Sequence, residues 1–93
     1  MPMTEIVVQE NADGSFDVEI AALGRSTWHT VVVPNGYSAE IGCGDVATTD
    51  LVRASFVFLL EREPATSILR RFRLDVISHY FPEYSEAIRG YVG

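Results

Sequence analysis

Residues 50–64, DLVRASFVFLLEREP, carry the most continuous apolar pattern in the chain. Wound as a helix, Asp50, Arg53, Val57 and Glu61 fall into one mostly polar column, because positions three and four apart share a face. Leu51, Val52, Ala54, Phe56, Phe58, Leu59 and Leu60 take up the rest of the surface. A helix apolar over most of its circumference is buried on more than one side. The pattern predicts a central helix over about residues 49–63, sandwiched between other segments of the chain or a second copy of it. Thr48 or Thr49 suits the N-cap, Asp50 favours the helix dipole, and Pro64 restricts the residue before it and ends the element.

Upstream, the period shortens to that of strands. Residues 5–10 (EIVVQE) are rich in β-branched side chains. Asp13-Gly14 then signals a hairpin, since Gly tolerates positive φ. In residues 16–23, Phe16, Val18, Ile20 and Ala22 alternate with Asp17 and Glu19, the mark of a half-buried antiparallel strand. Gly24-Arg25-Ser26 makes a turn, and residues 27–33 (TWHTVVV) form a third strand that Pro34 ends. A connector follows to Thr49, with one helical turn possible over residues 37–41.

Downstream of Pro64 the reading is helical in pieces: residues 66–73 with Ile68, Leu69 and Phe72 inward, 76–81 after an N-cap at Asp75, and 83–89 after Pro82. One long helix from Thr66 to Tyr80 is the competing reading, and Gly90 and Gly93 are expected to fray the C-terminus. The resulting fold class is α+β, a single domain over residues 1–93. A three-stranded antiparallel β-meander packs on a buried central helix that short C-terminal helices follow.

Composition narrows the function classes. Ninety-three residues with 47% apolar content form one globular unit near the lower size limit of a single core. One cysteine, Cys43, allows no intrachain disulfide and fits a reducing compartment. The N-terminal MPMTEIVVQE lacks the basic and apolar regions of a signal peptide, and the longest strongly apolar run, residues 56–60, is far short of a membrane span. A cytoplasmic protein without membrane contact is expected. The net charge of −6 resides wholly before Asp50, where seven acids face Arg25 alone. An acidic half repels phosphate backbones and argues against nucleic-acid binding.

Candidate chemistry is sparse. Gly42-x-Gly44-x-x-Ala47 fits the loose dinucleotide fingerprint, and Glu40 to Gly44 is similar to the first motif of Rossmann-type methyltransferases. That motif needs a buried parallel strand before it and a helix directly after it, and it wants Gly where Val46 stands. A cofactor-binding enzyme built around Gly42 and Asp45 is therefore the weakest reading, and no cofactor is expected. Residues 66–81 resemble a helix-turn-helix, with Arg70, Arg71 and Arg73 able to meet phosphates, which makes a DNA-binding regulator the alternative reading, but Pro82 leaves the second helix under two turns. His29, His79 and Cys43 share no metal-ligand spacing. A Ser-His-Asp or Cys-His set stays open on sequence alone, although no G-x-S-x-G elbow is present. His29 shares a strand face with Val31 and Val33, while Trp28 and Thr30 take the other. Trp28 either anchors a partner or caps the edge of the core.

The segments LVRASF, FLLEREP, ILRRF, IS and YFPEY resemble a small uncharacterised bacterial protein family. The resemblance covers the C-terminal half, implies a bacterial cytoplasmic protein, and carries no catalytic or binding residues across. The sequence thus points to a non-enzymatic protein-interaction or regulatory module, binding another protein or itself as a homodimer. Trp28, His29, Arg70, Arg71 and Arg73 are its candidate contact residues.

Overall fold

The structure, a computed structural model, describes residues 4–22 and 24–92. The expected end of the second strand at Leu23 and the expected fraying at Gly93 lie outside these residues. Four strands, β1 (Thr4–Glu10), β2 (Ser15–Ala22), β3 (Arg25–Val32) and β4 (Arg71–Arg73), form one sheet in that order. The helices are α1 (Tyr37–Glu40), α2 (Thr48–Leu60), α3 (Val76–Tyr80) and α4 (Tyr84–Val92). The fold is α+β, and its first three strands make the expected antiparallel meander. The sheet, however, has a fourth strand, paired parallel to β3.

The hairpin between β1 and β2 is tied by its own polar side chains. Gly14 takes φ +87, and Asp13 Oδ1 accepts from the Ser15 backbone N–H at 3.0 Å and the Ser15 hydroxyl at 2.6 Å. These hydrogen bonds favour the charged carboxylate and hold Asp13 below its ordinary pKa. At the free side of β1, Arg53 from α2 donates to the Ile6 carbonyl at 3.4 Å.

The helix expected over residues 66–73 is absent. Ala65–Ser67 form a single 3-10 turn, Ile68 is extended, and β4 follows. The physical reason is that β3 has an unpaired edge. Thr30 N–H donates to Arg70 O at 2.7 Å and Leu74 N–H to Val32 O at 2.9 Å. Phe72 and Leu74 turn inward while Arg71 and Arg73 stay exposed, a period of two that a helix cannot satisfy. Other boundaries also move. The helix expected to reach Glu63 stops at Leu60, and Ala47, not Thr48 or Thr49, occupies its N-cap, with Ala47 O receiving the N–H groups of Asp50 and Leu51. Asp75 stands at the N-cap of α3 but makes no capping bond, and its carboxylate takes Arg73 at 3.0 Å instead. Gly90 lies within α4.

The polar column of α2 is as the pattern requires: Asp50, Arg53, Val57 and Glu61 are exposed, and the residues between them are buried or nearly so. One side of α2 meets the sheet, where Phe56 lies 5.4 Å from the His29 ring and 5.9 Å from Phe72. Another side meets α4, where Phe58 packs edge-on against Tyr84, Tyr91 and Phe81. Arg62 closes the end of this cluster, its guanidinium 3.6 Å from the Phe58 ring centre and its Nε 3.3 Å from Glu83. At the α2–α4 contact, Ser55 and Tyr84 are each 0% exposed. Ser55 Oγ donates to Leu51 O at 2.7 Å, so the Tyr84 hydroxyl donates to Ser55 Oγ at 2.6 Å.

This chain of donors makes the two truncations unequal. Ser55→Ala orphans the buried Tyr84 O–H and should cost about 1–3 kcal/mol, whereas Tyr84→Phe leaves Ser55 bonded to Leu51 and should cost about 0.5–1.5 kcal/mol. Urea denaturation of both variants checks the order, and the reverse order would contradict the assigned donor direction. Burial pushes the Tyr84 hydroxyl above its usual pKa of 10.0. Above pH 10 the unfolded chain releases a proton that the folded chain holds, so this stabilisation is complete below pH 10 and falls away as pH rises. Denaturation midpoints followed from about pH 8 to 12 should drop less steeply in Tyr84→Phe than in the wild type. Tyr37, also raised by burial, keeps part of the slope.

Candidate functional site

Among the described residues the helices pack on the face of the sheet that carries Phe16, Val18, Ile20, His29, Val31 and Phe72 into the core. The opposite face is open. Its surface follows from the register, because side chains on paired residues stand side by side. Gln9, Asp17, Thr30 and Arg71 form one row across the four strands. Val7, Glu19 and Trp28 form the next, and Ser15, Val32 and Arg73 the row on the other side. Trp28 is 62% exposed in the middle of this face, with Val7 and Val32 also exposed nearby in the register. Thr30 Oγ1 donates to Asp17 at 3.1 Å and Ser26 Oγ to Glu19 at 3.0 Å. The face is thus acidic over β1 and β2, apolar at Trp28, and basic over β4.

The structure brings Trp28, Arg71 and Arg73 onto this one surface. Arg70 is exposed just before β4, its carbonyl engaged by Thr30. His29 does not belong to the contact set. It is 3% exposed on the inner face, and both ring nitrogens are occupied. Nδ1 lies 2.8 Å from Leu69 O and Nε2 2.9 Å from Thr27 Oγ1. A carbonyl only accepts, so Nδ1 carries the proton. His29 is a buried clip between β3 and the segment entering β4, and strand parity puts it opposite its neighbour Trp28. Asp17 and Thr30 join the site without having been singled out by sequence. The alternation of β2 already set Asp17 outward, but only the pairing of β4 shows what it faces.

The other exposed apolar residues lie elsewhere. Leu69 and Tyr80, the latter 65% exposed, border a groove of about 320 Å³ floored by Leu59, Ile68, Phe72, Ile77 and Phe81. Glu63, Ser67 and the Tyr80 hydroxyl are its polar groups. Val57 and Tyr91 border a second hollow of about 310 Å³ beside the exposed Asp50–Arg53 pair. Neither concavity contains His29, His79 or Cys43.

The remaining sequence candidates stay apart. Cys43 is buried, and burial raises its thiol pKa, so the unreactive protonated form is favoured. The glycine loop at residues 42–45 follows the helical turn α1, not a strand, so the dinucleotide motif lacks its context. A Cβ on Gly42 would stand 3.1 Å from the Arg89 side chain, which packs over this loop. Residues 66–81 hold a 3-10 turn, a strand and a five-residue helix, not the two helices of a helix-turn-helix. Among the described residues no three His, Cys, Asp or Glu side chains are grouped to hold a metal, and no helix is long and apolar enough to cross a membrane. Comparison with protein-family models, with curated proteins and with solved structures finds no match.

The His29 clip makes a local prediction. His29→Phe keeps the ring beside Phe56 but orphans Leu69 O, and should cost about 1–3 kcal/mol. Amide exchange at Thr30 and Leu74, whose N–H groups bond across β3 and β4, should accelerate more than exchange at Val18. Uniform acceleration would show that β4 does not depend on the clip.

Proposed function

We propose that this chain is a small non-catalytic interaction module of the bacterial cytoplasm whose contact surface is the open sheet face centred on Trp28. The observation that carries the reading is the placement of a largely exposed tryptophan on the sheet face opposite the one the helices pack on. An isolated exposed aliphatic residue needs no explanation, but tryptophan is the side chain most enriched in the energetic centres of interfaces. The surroundings of Trp28 support the same reading. Its neighbours Glu19 and Thr30 are polar and hydrogen-bonded, which gives the rim around an apolar anchor that protein contacts prefer.

Binding needs only the surface already present, whereas a reaction needs an acid and a base held together against one substrate. The groove offers Glu63 with the exposed Tyr80, and the second hollow the solvent-exposed Asp50–Arg53 pair with Tyr91. Affinity capture from the native host with immobilised wild type, Trp28→Ser and Tyr80→Ser tests the reading. The expected result is a partner retained by wild type and by Tyr80→Ser and lost from Trp28→Ser. Retention by Trp28→Ser with loss from Tyr80→Ser would move the contact to the groove and overturn the assignment.

A further inference from the structure

We infer that the open face is self-complementary and that its occupant is a second copy of this chain, stacked sheet to sheet about a two-fold axis parallel to β3. This rests on the reading of the face as an interaction surface and names its partner. The argument is one of register and charge. Asp17 and Arg71 flank Thr30 in one row, Asp17 on β2 and Arg71 on β4. Two strand spacings, about 10 Å, separate their backbones. Among the described residues Asp17 receives only the Thr30 hydroxyl, and Arg71 makes no ion pair, its charge acting weakly on Asp13.

A two-fold axis lying over β3 and along it leaves each row facing the same row of the other copy, with left and right exchanged. β2 of one copy then lies over β4 of the other. Asp17 meets the Arg71 of the second copy, and Arg71 meets its Asp17, giving two identical charge pairs from one operation. Trp28 lies on β3 itself, so the two tryptophans meet across the axis. Val32, next but one along this face of β3, adds apolar contact at the same seam. The alternative two-fold, perpendicular to the strands, lays β2 on β2 and opposes acid with acid. Charge therefore selects one orientation of the two.

The size of the contact sets its strength. With the axis over β3, β3 lies on β3 along about 26 Å, but each β2 overlaps only the three residues of β4, about 10 Å. A sheet footprint of roughly 200 Å² per copy is far below that of a standard stable interface, so the dimer is reversible, weak and further weakened by salt.

The full chain serves for the test. Light scattering and sedimentation across low to high micromolar concentration should show a monomer–dimer equilibrium that shifts toward monomer at high salt. Trp28 is the single tryptophan, so its fluorescence should shift to the blue along the same curve. Asp17→Arg and Arg71→Asp should each weaken self-association by about tenfold or more. Mixed one to one, these two variants should associate again. One then carries arginine at both positions and the other aspartate at both, so each pair across the axis is once more opposite in charge. Circular dichroism melts verify that each variant folds.

A wild type that stays monomeric throughout overturns the inference, and so does a mixture that fails to associate. A dimer indifferent to Trp28→Ser and to both reversals overturns it as well, since it would use another surface. If the wild type is monomeric yet Trp28-dependent capture succeeds, the partner is a different protein and only the self-complementary reading falls. If capture also proves independent of Trp28, the interaction surface itself is lost.

Discussion

Burial of α2 on both of its broad sides is the constraint from which the arrangement follows. Phe56 faces the sheet and Phe58 faces α4, and neither is accessible to solvent. A chain of this length has little material with which to cover such a rod. The meander is spent on one side of it and α4 on the other, with α3 set against α4 and β4. Nothing among the described residues remains to cover the second face of the sheet. The bare face and the buried helix are thus two outcomes of one allocation, and the surface assigned to binding exists because the core consumes every helix.

The polar members of the interior are consistent with this tight fit. Ser55 and Tyr84 sit where α2 and α4 meet and complete a donor chain ending on Leu51 O. On the sheet side His29 has a comparable role, satisfying both nitrogens while its ring fills space beside Phe56. Tyr37 Oη is the contrasting case: among the described residues it is the buried side-chain polar atom with no hydrogen-bond partner. The Ser78 hydroxyl, which lies near enough to influence it, donates to Asp75 O instead.

Much of this was legible before the structure. The polar column of α2, the alternation of β2 and the opposite parity of Trp28 and His29 follow from periodicity alone. β4 was not legible, and the reason is specific. Ile68 and Phe72 are four apart, which reads as helix, while Arg71, Phe72, Arg73 and Leu74 alternate, which reads as strand. Local pattern cannot choose between them in so short a stretch. The choice is made by the empty edge of β3, whose partners in the chain are some forty residues distant (His29 and Leu69 are 40 apart). The candidate site inherits that gap, since the row from Asp17 to Arg71 does not exist until β4 is placed. Sequence could likewise orient Trp28 outward but could not say that the outward side lacks a lid.

The bond from Arg53 to the Ile6 carbonyl has a bearing on what the sheet is kept from becoming. An uncovered strand border is a template on which further chains can add, the route to fibrils. Here one border carries a guanidinium across its backbone along with Glu5 and Glu10, and the other is a strand of three residues with an arginine at each end. Lateral growth is thereby discouraged at both limits of the sheet, so a molecule that presents a broad sticky plane is still steered away from polymerising.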